Sequence, residues 1–202
     1  MYALVEDGSI TKIITNPRSM IIADVQYPAK IFQLWSSSEL NAIGIYEVIT
    51  DTSNLKDEKW YINTNESYSF ADDQVTRSWG TATPKEHADK NATDENGDEL
   101  DPVVVIEGLK TKLIRDLKNQ VSNELAKTDW YITRNTEKST AIPSSISTHR
   151  DQVRTKQAEM ETSITNASDT PALETLYTYV NTGTEENPVM ERPLGELPIL
   201  ET

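Results

Sequence analysis

The chain contains no cysteine, which excludes disulfides, thiolate zinc sites and cysteine nucleophiles together and gives no sign of an oxidising destination. Its two histidines, His87 and His149, do not stand at a metal-ligand spacing. Seven glycines are scattered along the chain, without the cluster that cradles a phosphate and without a nucleophile elbow. No apolar run is long enough to span a bilayer, and Met1 to Asp7 lack the basic start and apolar stretch of a secretion signal. Positive charge is scarce as well. The 19 Lys and Arg against 33 Asp and Glu leave a net charge of -14, so binding to nucleic acid or anionic lipid, both of which require a basic surface, is not expected.

Carboxylates are plentiful, yet they form no catalytic arrangement. Asp72 and Asp73, like Glu185 and Glu186, are chain neighbours, and neighbours on a strand face opposite sides. Asp94, Asn96 and Asp98 have the alternate spacing of a calcium loop, but Gly97 comes one place early and Val105 occupies the twelfth position, where a bidentate Glu is wanted. No catalytic residue, metal site or cofactor is expected. With 202 residues and a hydrophobic share of 36%, the chain suits two small units, each with a limited core.

Residues 1–82 read as a small, antiparallel, β-rich domain. Tyr2 to Glu6 and Ile10 to Ile14 flank Asp7-Gly8, a pair suited to a tight hairpin turn. Met20 to Val25 and Lys30 to Trp35 each fit a strand or a buried connector. Ser36, three residues before Glu39, predicts a capping box and a short helix that Gly44 ends. Strands are expected again at Ile45 to Ile49, at Trp60 to Ile62, at Tyr68 to Phe70, and at Val75 to Trp79 as an antiparallel partner, with the aromatic rings packing across the sheet.

Residues 83–101 form an acidic linker without hydrophobic periodicity. Residues 102–180 then form a helical hairpin. Asp101-Pro102 can open the first helix, although Val103 to Ile106 fit a short strand equally well. From Leu109 the helix is clear, because Leu113, Leu117, Val121 and Leu125 recur every four residues. A second helix, capped by Ser144 or Ser145, has a seam of Ile146, Arg150, Val153, Gln157, Met160, Ile164 and Ala167. Thr170-Pro171 begin a last short helix with Leu173, Leu176 and Tyr177. Residues 181–202, punctuated by Pro188, Pro193 and Pro198, form an extended tail whose apolar points suit a strap against another surface or back over the hairpin.

The join between the two helices is the candidate site. It holds Asp129, Trp130, Tyr131 and Arg134, followed by Ile142 and Pro143, and then Arg150 and Arg154 on the second helix. If the helices fold back, Trp130 lies near His149 or Arg150. An arginine over the indole contributes about 0.5 to 2 kcal/mol, and Asp129 offsets Arg134 or Arg154. These residues either pin the corner or anchor a partner, since Trp and Arg are common interface anchors.

The stretch from Lys110 to Arg154 resembles bacteriophage tail-fibre assembly proteins, also called phage tail assembly chaperones. The resemblance rests on Arg115-Asp116-Leu117 through Leu125, on Thr128-Asp129-Trp130 and Arg134, and on Ile142-Pro143 with Arg150 and Arg154. These look like that family's leucine-bearing helix, Thr-Asp-Trp signature, proline and paired-arginine helix. The acidic linker and the proline-bearing tail depart from the pattern. The resemblance implies a non-enzymatic role in the host cytoplasm: binding tail-fibre or baseplate proteins and assisting their assembly or attachment. A homo-oligomer is a further arrangement. The alternatives are a permanent virion part, such as a baseplate or fibre connector, and, more distantly, a glycan hydrolase.

Overall fold

The computed structural model describes residues 1–200, so the last two residues of the expected tail lie outside the described residues. The chain is a mixed α+β protein that divides into two compact units, Met1–Thr83 and Pro84–Thr202.

The first unit begins with the predicted hairpin. Strands β1 (Tyr2–Glu6) and β2 (Ser9–Ile14) pair antiparallel, and Asp7 and Gly8 take the positive φ angles, 49° and 74°, that the turn demands. Met20 to Val25 do not form one strand. They fold as a second hairpin, β3 (Met20–Ile22) and β4 (Val25–Tyr27), because Ala23 and Asp24 both turn into the left-handed region. Lys30 to Trp35 is likewise neither strand nor plain connector: it contains one helical turn, α1 (Ile31–Leu34), whose Ile31 and Phe32 are buried. The capping box is present. Ser36 accepts from the Glu39 amide and Glu39 from the Ser36 amide, opening α2 (Ser37–Asn41).

Gly44 then sits at φ 82°, where an added Cβ would lie 2.6 Å from the Val5 carbonyl oxygen. Only glycine allows the chain to pass so close to β1 and enter β5 (Ile45–Thr50). After β6 (Tyr61–Ile62), strands β7 (Ser67–Ala71) and β8 (Gln74–Ser78) form a third antiparallel hairpin. The five-stranded order is β2-β1-β5-β8-β7. The sheet is not purely antiparallel, as expected from sequence, because β8 lies parallel to β5. A parallel neighbour requires a long crossover, and the stretch between β5 and β8, with β6 and β7, supplies it.

Alternation along β1 divides the core between the two faces of the sheet. Leu4 packs with Ile14, Ile22, Ile31, Phe32, Leu40 and Ile45. Ala3 and Val5 pack on the other face with Val75, bordered by Tyr46, Val48 and Phe70.

The boundary strand β9 (Thr83–Pro84) precedes the acidic stretch. That stretch is largely exposed but tied down locally, and most of it belongs to the second unit. Strand β10 (Lys90–Asn91) pairs with β11 (Val105–Ile106). Asp94 accepts from the amides of Asn96 and Asp98, so this run turns a hairpin. Asp89 accepts from the Gly108 amide and the Thr111 hydroxyl, which holds its carboxyl below the usual range and ties it to the helix start. The helix therefore opens at Gly108 and not at Asp101-Pro102.

Helices α3 (Leu109–Ala126) and α5 (Ser144–Asn166) pack antiparallel, with Lys110 donating to the Thr165 carbonyl at one end and Arg150 to the Leu125 carbonyl at the other. Leu109, Leu113, Leu117 and Val121 are buried on α3. On and just after α5, the predicted seam members Ile146, Arg150, Val153, Met160, Ile164 and Ala167 are buried as well. Neither Ser144 nor Ser145 caps α5, because Pro143 holds the cap position. The polar link between these helices is itself a helix, α4 (Asp129–Lys138), so three helices stand where a connected pair was expected.

Asp169 accepts from the Ala172 amide to open α6 (Thr170–Tyr177). The tail is not simply extended. Its first part is a hairpin of β12 (Val180–Asn181) and β13 (Met190–Glu191). Beyond it, the Leu194 amide donates to the Leu176 carbonyl while its side chain is buried, and the Arg192 guanidinium lies 5.3 Å from the Tyr177 ring.

Candidate functional site

Three and four residue steps carry the buried stripe of α3 from Leu113, Leu117 and Val121 through Glu124 to Thr128. The last two positions are polar, and α5 meets them with His149 and Arg150. Thr128 is 1% exposed, and its hydroxyl donates to the Leu125 carbonyl at 3.0 Å. Arg150 is buried. Its guanidinium donates to the same carbonyl at 2.7 Å and to the Thr128 hydroxyl at 2.6 Å, and lies 2.9 Å from the Asp129 carboxylate.

One side chain thus neutralises the negative end of α3, which favours that helix dipole, and grips the acid in the first turn of α4. Arg150 is the pin of the corner. The expected pin, an indole under Arg150, does not form, and Asp129 pairs with Arg150 in place of Arg134 or Arg154.

Beside it, His149 is 5% exposed and its Nε2 lies 3.3 Å from Oε1 of Glu124. The two atoms are close but poorly aligned, and neither makes a hydrogen bond among the described residues. Lys127 bonds the other Glu124 oxygen and, more than His149, holds its carboxyl below the usual glutamate range, against the opposing effect of burial. Glu124 was not among the predicted site residues. The legible signal was the continuation of the α3 stripe into a charged position.

α4 leads away from this pin. It has no buried residue. Trp130 is 50% exposed, its ring stacks on Tyr131 with centroids 3.7 Å apart, and the Arg134 guanidinium sits 5.9 Å from the indole. The helix ends at Ser139, whose φ of 51° is left-handed and whose amide donates to the Asn135 carbonyl. Asn135 also donates to the Thr140 carbonyl, turning the chain toward Ile142 and Pro143.

The structure therefore separates the predicted residues into groups. Asp129 joins Arg150 in the pin, while the exposed Trp130 and Arg134, with the half-buried Tyr131, form an aromatic and cationic face. Ile142 is half-buried and Pro143 starts α5. Arg154 joins neither group, pairing at 3.4 Å with Asp151 on the exposed side of α5.

No protein-family model matches the chain, and no curated protein or solved structure matches it. Among the described residues, no helix is long and apolar enough to cross a membrane.

Proposed function

We propose that this chain is a non-enzymatic bacteriophage tail protein that binds a tail-fibre or baseplate protein in the host cytoplasm and assists its assembly or attachment. The observation that carries the reading is α4: ten residues of helix, none of them buried. A helix this short is marginal by itself and is ordinarily stabilised by burying one face. Here Arg150 holds its first turn and a left-handed cap closes its last, leaving Trp130 and Arg134 toward solvent with Tyr131 half-buried beside them. Large rings flanked by arginine are the side chains that most often dominate binding energy at protein interfaces.

The chemistry of the corner supports binding more than turnover. The Thr128 hydroxyl donates to a carbonyl, and His149 faces Glu124 from a buried position. The resemblance of residues 110–154 to tail-fibre assembly proteins supplies the class of partner.

Co-expression with a tail-fibre or baseplate protein tests the proposal. Trp130→Ala should reduce co-purification about tenfold, the loss of one interface anchor, while leaving the melting of the chain nearly unchanged because the ring is half exposed. Undiminished co-purification would overturn it. Mass spectrometry of purified particles beside infected lysate then distinguishes a transient assembly factor, found only in lysate, from a permanent tail component.

A further inference from the structure

We propose a second interaction surface, independent of α4: the outer edge of β11, which accepts an extended, apolar strand bracketed by lysine or arginine from a partner protein. Four consecutive residues at this edge, Val103, Val104, Val105 and Ile106, are 48 to 56% exposed. Consecutive residues of an extended chain point to opposite faces, so neither face of this ribbon is covered.

The ladder determines which backbone groups are available. The Ala92 amide donates to the Val104 carbonyl, and the register pairs Asn91 with Val105. Groups alternate sides along an antiparallel strand. The Val105 amide and carbonyl therefore point away from β10, toward an edge with no other strand among the described residues. An exposed apolar edge of this kind is a template for strand addition.

Charge selects the occupant. Residues 86–107 carry eight carboxylates, Glu86, Asp89, Asp94, Glu95, Asp98, Glu99, Asp101 and Glu107, against one lysine, Lys90. This balance of -7 is half of the net -14 of the whole chain. A second copy would bring the same negative field against the first, whereas a basic-flanked strand is attracted and guided to the edge. The apolar centre of the added strand covers the valines, and its cationic ends meet the surrounding carboxylates.

The probe is a synthetic strand of about six residues, alternating Val and Thr and bracketed by lysine pairs, beside the same strand bracketed by glutamates. Fluorescence anisotropy on the full chain should show binding of the lysine peptide, at least tenfold weaker binding of the glutamate peptide, and weakening by salt. Hydrogen exchange should show the Val105 amide becoming protected when the lysine peptide is added.

Val105→Pro deletes the outward donor while leaving the bonds to β10 in place and should weaken the lysine peptide at least tenfold. Should that variant misfold, the paired change Glu95→Lys with Asp98→Lys alters the field alone and should weaken it severalfold. Failure of the lysine peptide to bind, equal binding of the two peptides, or an unprotected Val105 amide would overturn the proposal. Dimerisation of the chain that protects Val105 would also overturn it, by making a second copy the occupant.

Discussion

Arg150 shows why a charged residue can occupy a helical seam. Removing a guanidinium from water is costly unless every donor it hides finds a partner. Here a helix-terminal carbonyl, a buried hydroxyl and a carboxylate all lie within 2.9 Å. Arg150→Ala would leave the Leu125 carbonyl and the Thr128 hydroxyl without this donor, and the expected loss is about 3 kcal/mol of stability. Asp129, being exposed, recovers its hydration and adds little. Arg150→Lys should recover only part of the loss, since an ammonium lacks the planar fork. Urea denaturation followed by the helical circular dichroism signal measures both, and a loss below about 1 kcal/mol for Arg150→Ala would fall outside the range for a buried, bonded charge. At this scale the sequence marked Arg150 as important but assigned it the wrong neighbour, because periodicity places a residue on a face and does not say which group of the facing helix it meets.

The C-terminal end of α3 carries an acid-sensitive contact, the pairing of Glu124 with Lys127. Glu124 has a carboxyl held below the ordinary glutamate range, with Lys127 the largest cause. A group whose folded pKa is depressed contributes stability that is present above its unfolded pKa and is lost as pH falls through the folded one. The helical pair should therefore lose stability as pH drops below the unfolded glutamate range, and Glu124→Gln should flatten that part of the profile. Thermal melts of both proteins through mildly to strongly acidic pH give the comparison, and parallel profiles would rule out a role for Glu124. The helices themselves were legible from their spacing: Leu113, Leu117 and Val121 on one side, with Val153, Met160 and Ile164 on the other, are the buried stripes. α4 escaped notice because its sequence, Asp129 to Lys138, has no apolar stripe, and nothing in its periodicity separates a solvated helix from a polar loop.

Each unit buries its own apolar residues. In the first they form two clusters, one on each face of the five-stranded sheet, and in the second they are the α3 and α5 stripes together with Leu173 and Leu194. Each unit has its own core, so residues 84–202 expressed alone should keep their helical signal and melt cooperatively. A fragment that is unfolded or aggregated in solution would show that the units depend on each other. The excess of acid is spread unevenly along the chain, with half of it carried by residues 86–107, the stretch that includes β10 and β11.

By itself the sequence determined the local choices in which one residue type is physically required. Asp7-Gly8 makes the first hairpin, Ser36 with Glu39 opens a helix, Gly44 takes the left-handed turn that follows that helix, and four-residue spacing defines the stripes of α3. Tertiary structure alone decided the rest. The parallel placement of β8 on β5, the packing of Ile31 and Phe32 with Leu4 and Ile45, the Leu194 amide bonded to the Leu176 carbonyl and the pairing of Arg150 with Thr128 all join residues apart in sequence. Local propensity carries no information about such partners. They are chosen by which surfaces can be buried together while most of their polar groups keep partners, and that condition exists only once the chain has closed on itself.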